Sequence, residues 1–216
     1  GIEITGSCFE IDTVTQEFVT KIDGVCVGGL IVGNAVQKVE EIGGNKDLNF
    51  ALEKAIEIKD SVGTLISCKL TGIPVGLGEP FFDSVESLLA HAIFSIPAVR
   101  GIEFGTGFAA ARMFGSEHND SIIATDGTTA TNHAGGVVGG LTNGNELKFR
   151  VAIKPTSSTP QQQKSLNTAT GEQEVFLVKG RHDLCIALRV PVVVEAVTAI
   201  VLADLLLLEQ KITRVN

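Results

Sequence analysis

Two short runs hold most of the residues able to do chemistry. Gly180-Arg181-His182-Asp183 sets a guanidinium, an imidazole and a carboxylate side by side, directly before the apolar Leu184-Cys185-Ile186-Ala187-Leu188. Charges held so near an apolar stretch are the condition a proton-transfer group needs. An Arg181/Asp183 ion pair on a loop is the plainer reading of the same spacing. Lys154-Pro155-Thr156-Ser157-Ser158 places an ammonium at an expected strand end, followed by three hydroxyls and their turn amides. That set suits a phosphate, and an ordinary solvated junction uses the same residue types.

Other groups are less specific. The glycine-rich run from Ala134 to Gly140 leads into Leu141-Thr142-Asn143-Gly144 and a strand. A dinucleotide loop needs a strand before it and a helix opening at its last glycine, and a Walker loop needs Lys-Ser/Thr, so neither fits. Close backbone packing and close approach to a flat ligand both remain open. His118, with Asn119 and Asp120 beside it, and His133 show no metal-ligand spacing, and His91 falls on a helix face. No nucleophile elbow is visible.

The elements that must position these groups follow from periodicity. Apolar residues at i, i+3 and i+4 predict a helix over 84–96, with Asp83 or Ser84 as N-cap. A second helix is expected over 48–59, with Asp47 as a possible cap and a break at Asp60-Ser61-Val62-Gly63. The alternation of Leu147, Phe149, Val151 and Ile153 predicts a strand over 146–154, announced by the turn pair Asn143-Gly144. Further strands are expected over 2–11, 18–30, 64–70, 101–105 and 174–179. Residues 190–208 are apolar for nearly a bilayer's thickness but carry Glu195 and Asp204, which predicts a helix buried inside a soluble core. Residues 155–173, rich in Ser, Thr, Gln and Pro, follow neither period and read as one long flexible loop. Strands and helices mix without a regular strand-helix-strand series, so the fold class is α+β in a single domain over 1–216.

Composition bounds the rest. A chain of 216 residues with 44% hydrophobic and 19% charged residues makes a sizeable core and is not disordered. Seventeen Lys and Arg against twenty-five Asp and Glu give a net charge of -8, which argues against nucleic acid as a partner. Cys8, Cys26, Cys68 and Cys185 are widely scattered, as in a cytoplasmic protein with reduced thiols, and no metal site is expected. The chain opens at Gly1 without an initiator Met, which suggests a processed or shortened polypeptide.

Six blocks together are more specific than any one alone. They are P-V-G-L-G-E-P-F-F-D at 74–83, F-S-I-P-A-V-R-G-I-E-F-G at 94–105, G-S-E-H-N-D at 115–120, T-N-H-A-G-G at 131–136, K-P-T-S-S at 154–158 and G-R-H-D at 180–183. In this order, and over nearly the whole chain, they closely resemble chorismate synthase. That family forms chorismate by 1,4-elimination of phosphate from 5-enolpyruvylshikimate 3-phosphate, in the shikimate pathway to the aromatic amino acids. The reaction needs reduced FMN but has no net redox change.

The resemblance implies helices sandwiched between antiparallel sheets and a homo-oligomer, usually a tetramer. It implies an FMN site lined by Lys154, Pro155, Thr156, Ser157 and Ser158, with Gly139 letting the backbone approach the flavin and Ala98 as a further contact. Arg181 would touch FMN or substrate, and Asp183 would exchange a proton with flavin N5. Pro97 stands where several members carry Asn, Thr159 where Ile is frequent, and Leu184 where Pro is usual. The chain resembles the C-terminal part of the family, without its N-terminal G-E-S-H-G-like and R-P-G-H-A-D-like histidine motifs. Half an active site, with little activity alone, is the expectation. A non-catalytic FMN-binding or assembly module and a redox flavoenzyme are the competing readings.

Overall fold

The computed structural model describes residues 3–11, 14–21 and 46–209. Strands β1 (Glu3–Ile11), β2 (Val14–Lys21), β3 (Thr64–Thr71), β4 (Val99–Phe104) and β7 (Leu147–Ile153) make one antiparallel sheet in the order β2-β1-β3-β7-β4. The expected strand over 2–11 is therefore present; that over 18–30 is present to Lys21, and its remainder lies outside the described residues.

The sheet takes its sidedness from alternation. Residues 147, 149, 151 and 153 of β7 are buried, and the register pairs them with Leu70, Cys68, Ile66 and Thr64 of β3, so matched side chains line one face. Helices α1 (Lys46–Ile58), α2 (Val85–Ile93) and α3 (Pro191–Leu208) join this face through Leu52, Leu89 and Leu202 in one continuous core with Phe149. Each such side chain contributes about 1.5–3 kcal/mol of burial. Edge-strand Phe104 extends the core by packing its ring 5.6 Å from that of Phe149. The opposite face carries the Glu103–Arg150 ion pair.

Helix ends follow local chemistry. Ser84 rather than Asp83 caps α2, its Oγ accepting from Ser87 N at 3.1 Å. Helix α1 starts at Lys46, so Asp47 lies in its first turn rather than at the cap. It ends with Lys59 in the left-handed region at φ 57°, and Asp60 N donates to the Ala55 carbonyl at 2.8 Å.

Two expectations need correction. Helix α3 is long and apolar enough to cross a membrane, but it buries one face here, with Glu195 and Thr198 turned inward, while Val192, Val193, Ile200 and Leu208 are exposed. Apolar residues on both faces gave no periodic signal to tell the two sides apart. Within 155–173, where one loop was expected, Gln162–Leu166 forms β8 and pairs antiparallel with β9 (Gln173–Leu177). The strand is built mainly from polar residues and buries almost nothing, so neither composition nor alternation marks it. The turn is closed by Asn167 N on the Glu172 carbonyl and Gly171 N on the Asn167 carbonyl.

Candidate active site

Register brings the candidate segments together. Ile153 closes β7 opposite Thr64 on one side and Val99 on the other. Gly63, Lys154 and Ala98, each one residue beyond those paired positions, therefore leave the sheet at the same edge. Lys154 N donates to the Ala98 carbonyl at 3.0 Å. Ala98 itself holds φ 72°, a strained conformation for a residue with a side chain, of the kind kept where the surroundings enforce it.

The K-P-T-S-S run continues from this edge. Ser61 Oγ donates to the Thr156 carbonyl at 2.6 Å. Thr156 Oγ1 is buried and has no partner among the described residues. Ser158 is half-buried, whereas Pro155 and Ser157 are exposed, and Gln163 Nε2 donates to the Ser157 carbonyl at 2.7 Å.

The R-H-D run reaches the same region from the far side of the β8–β9 hairpin. Val62 N donates to the Leu184 carbonyl at 2.9 Å. Asp183 is half-buried and pairs through Oδ1 with Arg189 Nη2 at 2.9 Å, so the expected loop ion pair exists with a different arginine. Arg181 is exposed. His182 lies 3.1 Å from the Val178 carbonyl through Nε2. Because a carbonyl only accepts, Nε2 donates in this contact, and Nδ1 is buried.

Gly139 lies elsewhere in this chain. It sits with Gly140 in the turn between β5 (Val137–Val138) and β6 (Leu141–Thr142), and the Gly140 carbonyl accepts from Val85 N at the start of α2. Ala98 follows the other end of α2, a helix about 13 Å long for nine residues at 1.5 Å rise. The glycine run divides into a packed part and an open part. A Cβ on Gly135 would meet Gly105 N at 2.3 Å, which is backbone packing, whereas a Cβ on Gly139 would meet nothing within 4 Å among the described residues.

His118 and His133 stack loosely, ring centroids 5.6 Å apart, and Thr106 Oγ1 lies 2.8 Å from His133 Nδ1. Asp120 organises this loop by accepting from Thr131 Oγ1, His133 N and Ala134 N. Burial pushes its carboxyl upward, but the hydrogen bonds from Ala134, Thr131 and His133 outweigh that and hold it below the ordinary value.

Residue chemistry alone missed Ser61, Val62, Gly63 and Arg189. The first three read only as a helix-ending break, and nothing in the spacing from Asp183 singles out Arg189.

A sequence model of the chorismate synthase family matches residues 1–207. The chorismate synthase of Chitinophaga pinensis is 67% identical over 177 residues, covering 82% of this chain and 53% of that protein. Those of Opitutus terrae and Saccharomyces cerevisiae are 43% and 38% identical, covering 88% and 93% of this chain and 54% and 51% of theirs. A crystal structure of chorismate synthase superposes with a TM-score of 0.62 at 29% identity, covering 80% of this chain and 48% of that one. The chain thus spans about half the length of the curated relatives it matches. With the family model matched across nearly all its residues and with the mixed α+β fold shared, this chain belongs to the chorismate synthase family.

Proposed function

We propose that the protein is a carbon-oxygen lyase acting on a phosphate ester: it eliminates phosphate from 5-enolpyruvylshikimate 3-phosphate to give chorismate, and this chain contributes the flavin-facing part of the site. The observation that carries the reading is the meeting of the 98, 154–158 and 184 segments at one sheet edge, in a chain of this family.

The residues present fit FMN. Thr156 Oγ1 is a buried hydroxyl with no partner among the described residues, in one run with Lys154, Ser157 and Ser158, and such a group is costly unless a ligand pairs it. These residues would hold the cofactor, with Pro155 and Ala98 beside it, while the open backbone at Gly139, at the opposite end of α2 from Ala98, would be a separate contact. Reduced FMN, when bound, supplies reducing power that the elimination does not consume. Lys154 compensates anionic charge in an otherwise acidic chain. Arg181 offers a permanently charged fork to flavin or substrate. Asp183 holds or moves a proton at flavin N5, and Arg189 orients its carboxylate.

The assembly proposed is a homotetramer, and the exposed apolar side of α3 leaves surface for further contacts. The buried thiols of Cys68 and Cys185 favour the cytoplasm, and the net charge of -8 favours a small-molecule partner over nucleic acid.

The test is chorismate formation by the full-length protein under anaerobic conditions with limiting reduced FMN. Many turnovers per flavin support the elimination. Consumption of one reductant per product would make it a redox flavoenzyme, and binding of FMN without product would leave a binding module.

A further inference from the structure

Three consecutive residues between α1 and β3 each hold a different part of the proposed cofactor site. Ser61 Oγ donates its single proton to the Thr156 carbonyl at 2.6 Å. Val62 N donates to the Leu184 carbonyl at 2.9 Å. A Cβ on Gly63 would lie 2.5 Å from the Ile153 carbonyl oxygen and 2.9 Å from Pro155 Cδ, so the proline packs on bare backbone and no larger residue fits without a shift.

The tripeptide is itself anchored at both ends. Before it, Asp60 N is bonded to the Ala55 carbonyl at the end of α1, and Asp60 Oδ1 accepts from Ser61 N at 2.8 Å. After it, Thr64 enters the sheet opposite Ile153. Gln161 adds a bond back to the Ile58 carbonyl. The segments at 154–158 and 181–184 are separated along the chain by the β8–β9 hairpin, whose strands are almost wholly exposed. Such a two-stranded hairpin is too weakly held to set their spacing.

We infer that Ser61, Val62 and Gly63 are positioning residues, a staple that transfers the rigidity of the core to the cofactor cleft and sets the K-P-T-S-S segment against the R-H-D segment. This rests on the FMN reading given above. The one proton of the Ser61 hydroxyl goes to the Thr156 carbonyl, which fixes that peptide while Thr156 Oγ1 is left for the ligand. Preorganisation of this kind appears as affinity, because the ligand no longer has to order the loop.

The experiment compares wild type, Ser61→Ala, Ser61→Thr and Gly63→Ala in the full-length protein, by FMN titration and by Tm without FMN. Loss of one hydrogen bond of this kind predicts FMN binding about three- to tenfold weaker in Ser61→Ala. The FMN-free Tm stays near that of wild type, and Ser61→Thr, which keeps the hydroxyl, restores the affinity. Gly63→Ala, which displaces Pro155, weakens FMN by at least as much. Unchanged affinity in Ser61→Ala overturns the staple, as does an affinity loss in both variants that merely tracks a falling Tm. A wild-type protein that binds no FMN overturns the cofactor assignment itself, and the positioning role with it.

Discussion

Asp183 Oδ1 lies 2.9 Å from Arg189 Nη2, so the carboxylate of the R-H-D run is oriented by an arginine six residues further along and not by Arg181. Arg189 ends the short helical turn Ile186–Arg189 that leads into α3, which ties the orientation of Asp183 to the base of the core helix. Both partners are well over a third exposed, at 39% and 49% of their side chains, so the pair is worth only about 0–1 kcal/mol in stability.

That weak pairing separates the proposed catalytic role of Asp183 from folding. Asp183→Asn in the full-length protein should lower turnover about 10²- to 10⁴-fold, the usual weight of a lost proton-transfer group, while Tm moves by about 4 °C or less. Arg181→Ala leaves the Asp183–Arg189 pair intact and should instead weaken flavin or substrate binding along with rate. Single-turnover rates, FMN affinity and Tm measured side by side decide it. A large shared fall in Tm, with activity following the folded fraction, would make Asp183 a scaffold residue.

The two classes of glycine predict opposite behaviour. Gly135→Ala forces a Cβ to 2.3 Å from Gly105 N at φ 70° and should unfold the loop or leave insoluble protein. Gly139→Ala meets no neighbour and costs only the left-handed backbone, about 1–2 kcal/mol, so the variant should fold. FMN titration then reads whether the open space at Gly139 belongs to the flavin. Unaltered affinity would remove Gly139 from the site.

Cys68 should be inert in the folded protein. Burial pushes its thiol up to about 12, the nearby Glu195 adds to the shift, and the neighbouring Thr198 hydroxyl offsets only part of it. Burial raises Cys185 as well. Peptide mapping after iodoacetamide treatment at mildly alkaline pH should find both unmodified in native protein and both alkylated in denaturant. Rapid native labelling of Cys68 would contradict the packing of α3 on β3.

Asp120 sets an acid limit on its loop. Its carboxyl is held below the ordinary value of 3.8, so it binds a proton less readily folded than unfolded. Its stabilising contribution is therefore complete above the unfolded value and is lost as pH falls through the lower folded one. Amide exchange at His133 and Ala134 should stay slow at mildly acidic pH and accelerate only below that range. Asp120→Asn, which has one acceptor oxygen instead of two, should speed exchange at these amides already at neutral pH.

Periodicity makes several elements legible in the chain alone. The alternation from Leu147 to Ile153 and the i, i+3, i+4 pattern from Val85 to Ile93 are repeats of one local geometry, and a local pattern survives in a linear string. The six blocks likewise carry the family and the proposed roles of Lys154, Thr156, Arg181 and Asp183, because residue type and order are properties of the chain. Strand β8 stays hidden, since an exposed, largely polar strand is specified by its pairing with β9 rather than by burial. The one-sided burial of α3 is hidden too, because both its faces are apolar and only the sheet decides which is covered. The same holds for the site. Ser61 and Thr156 are 95 residues apart, and Asp183 could have met Arg181 or Arg189. Which groups meet depends on strand register and on where each helix ends, and those are settled by long-range packing, whose partners no local stretch of sequence contains.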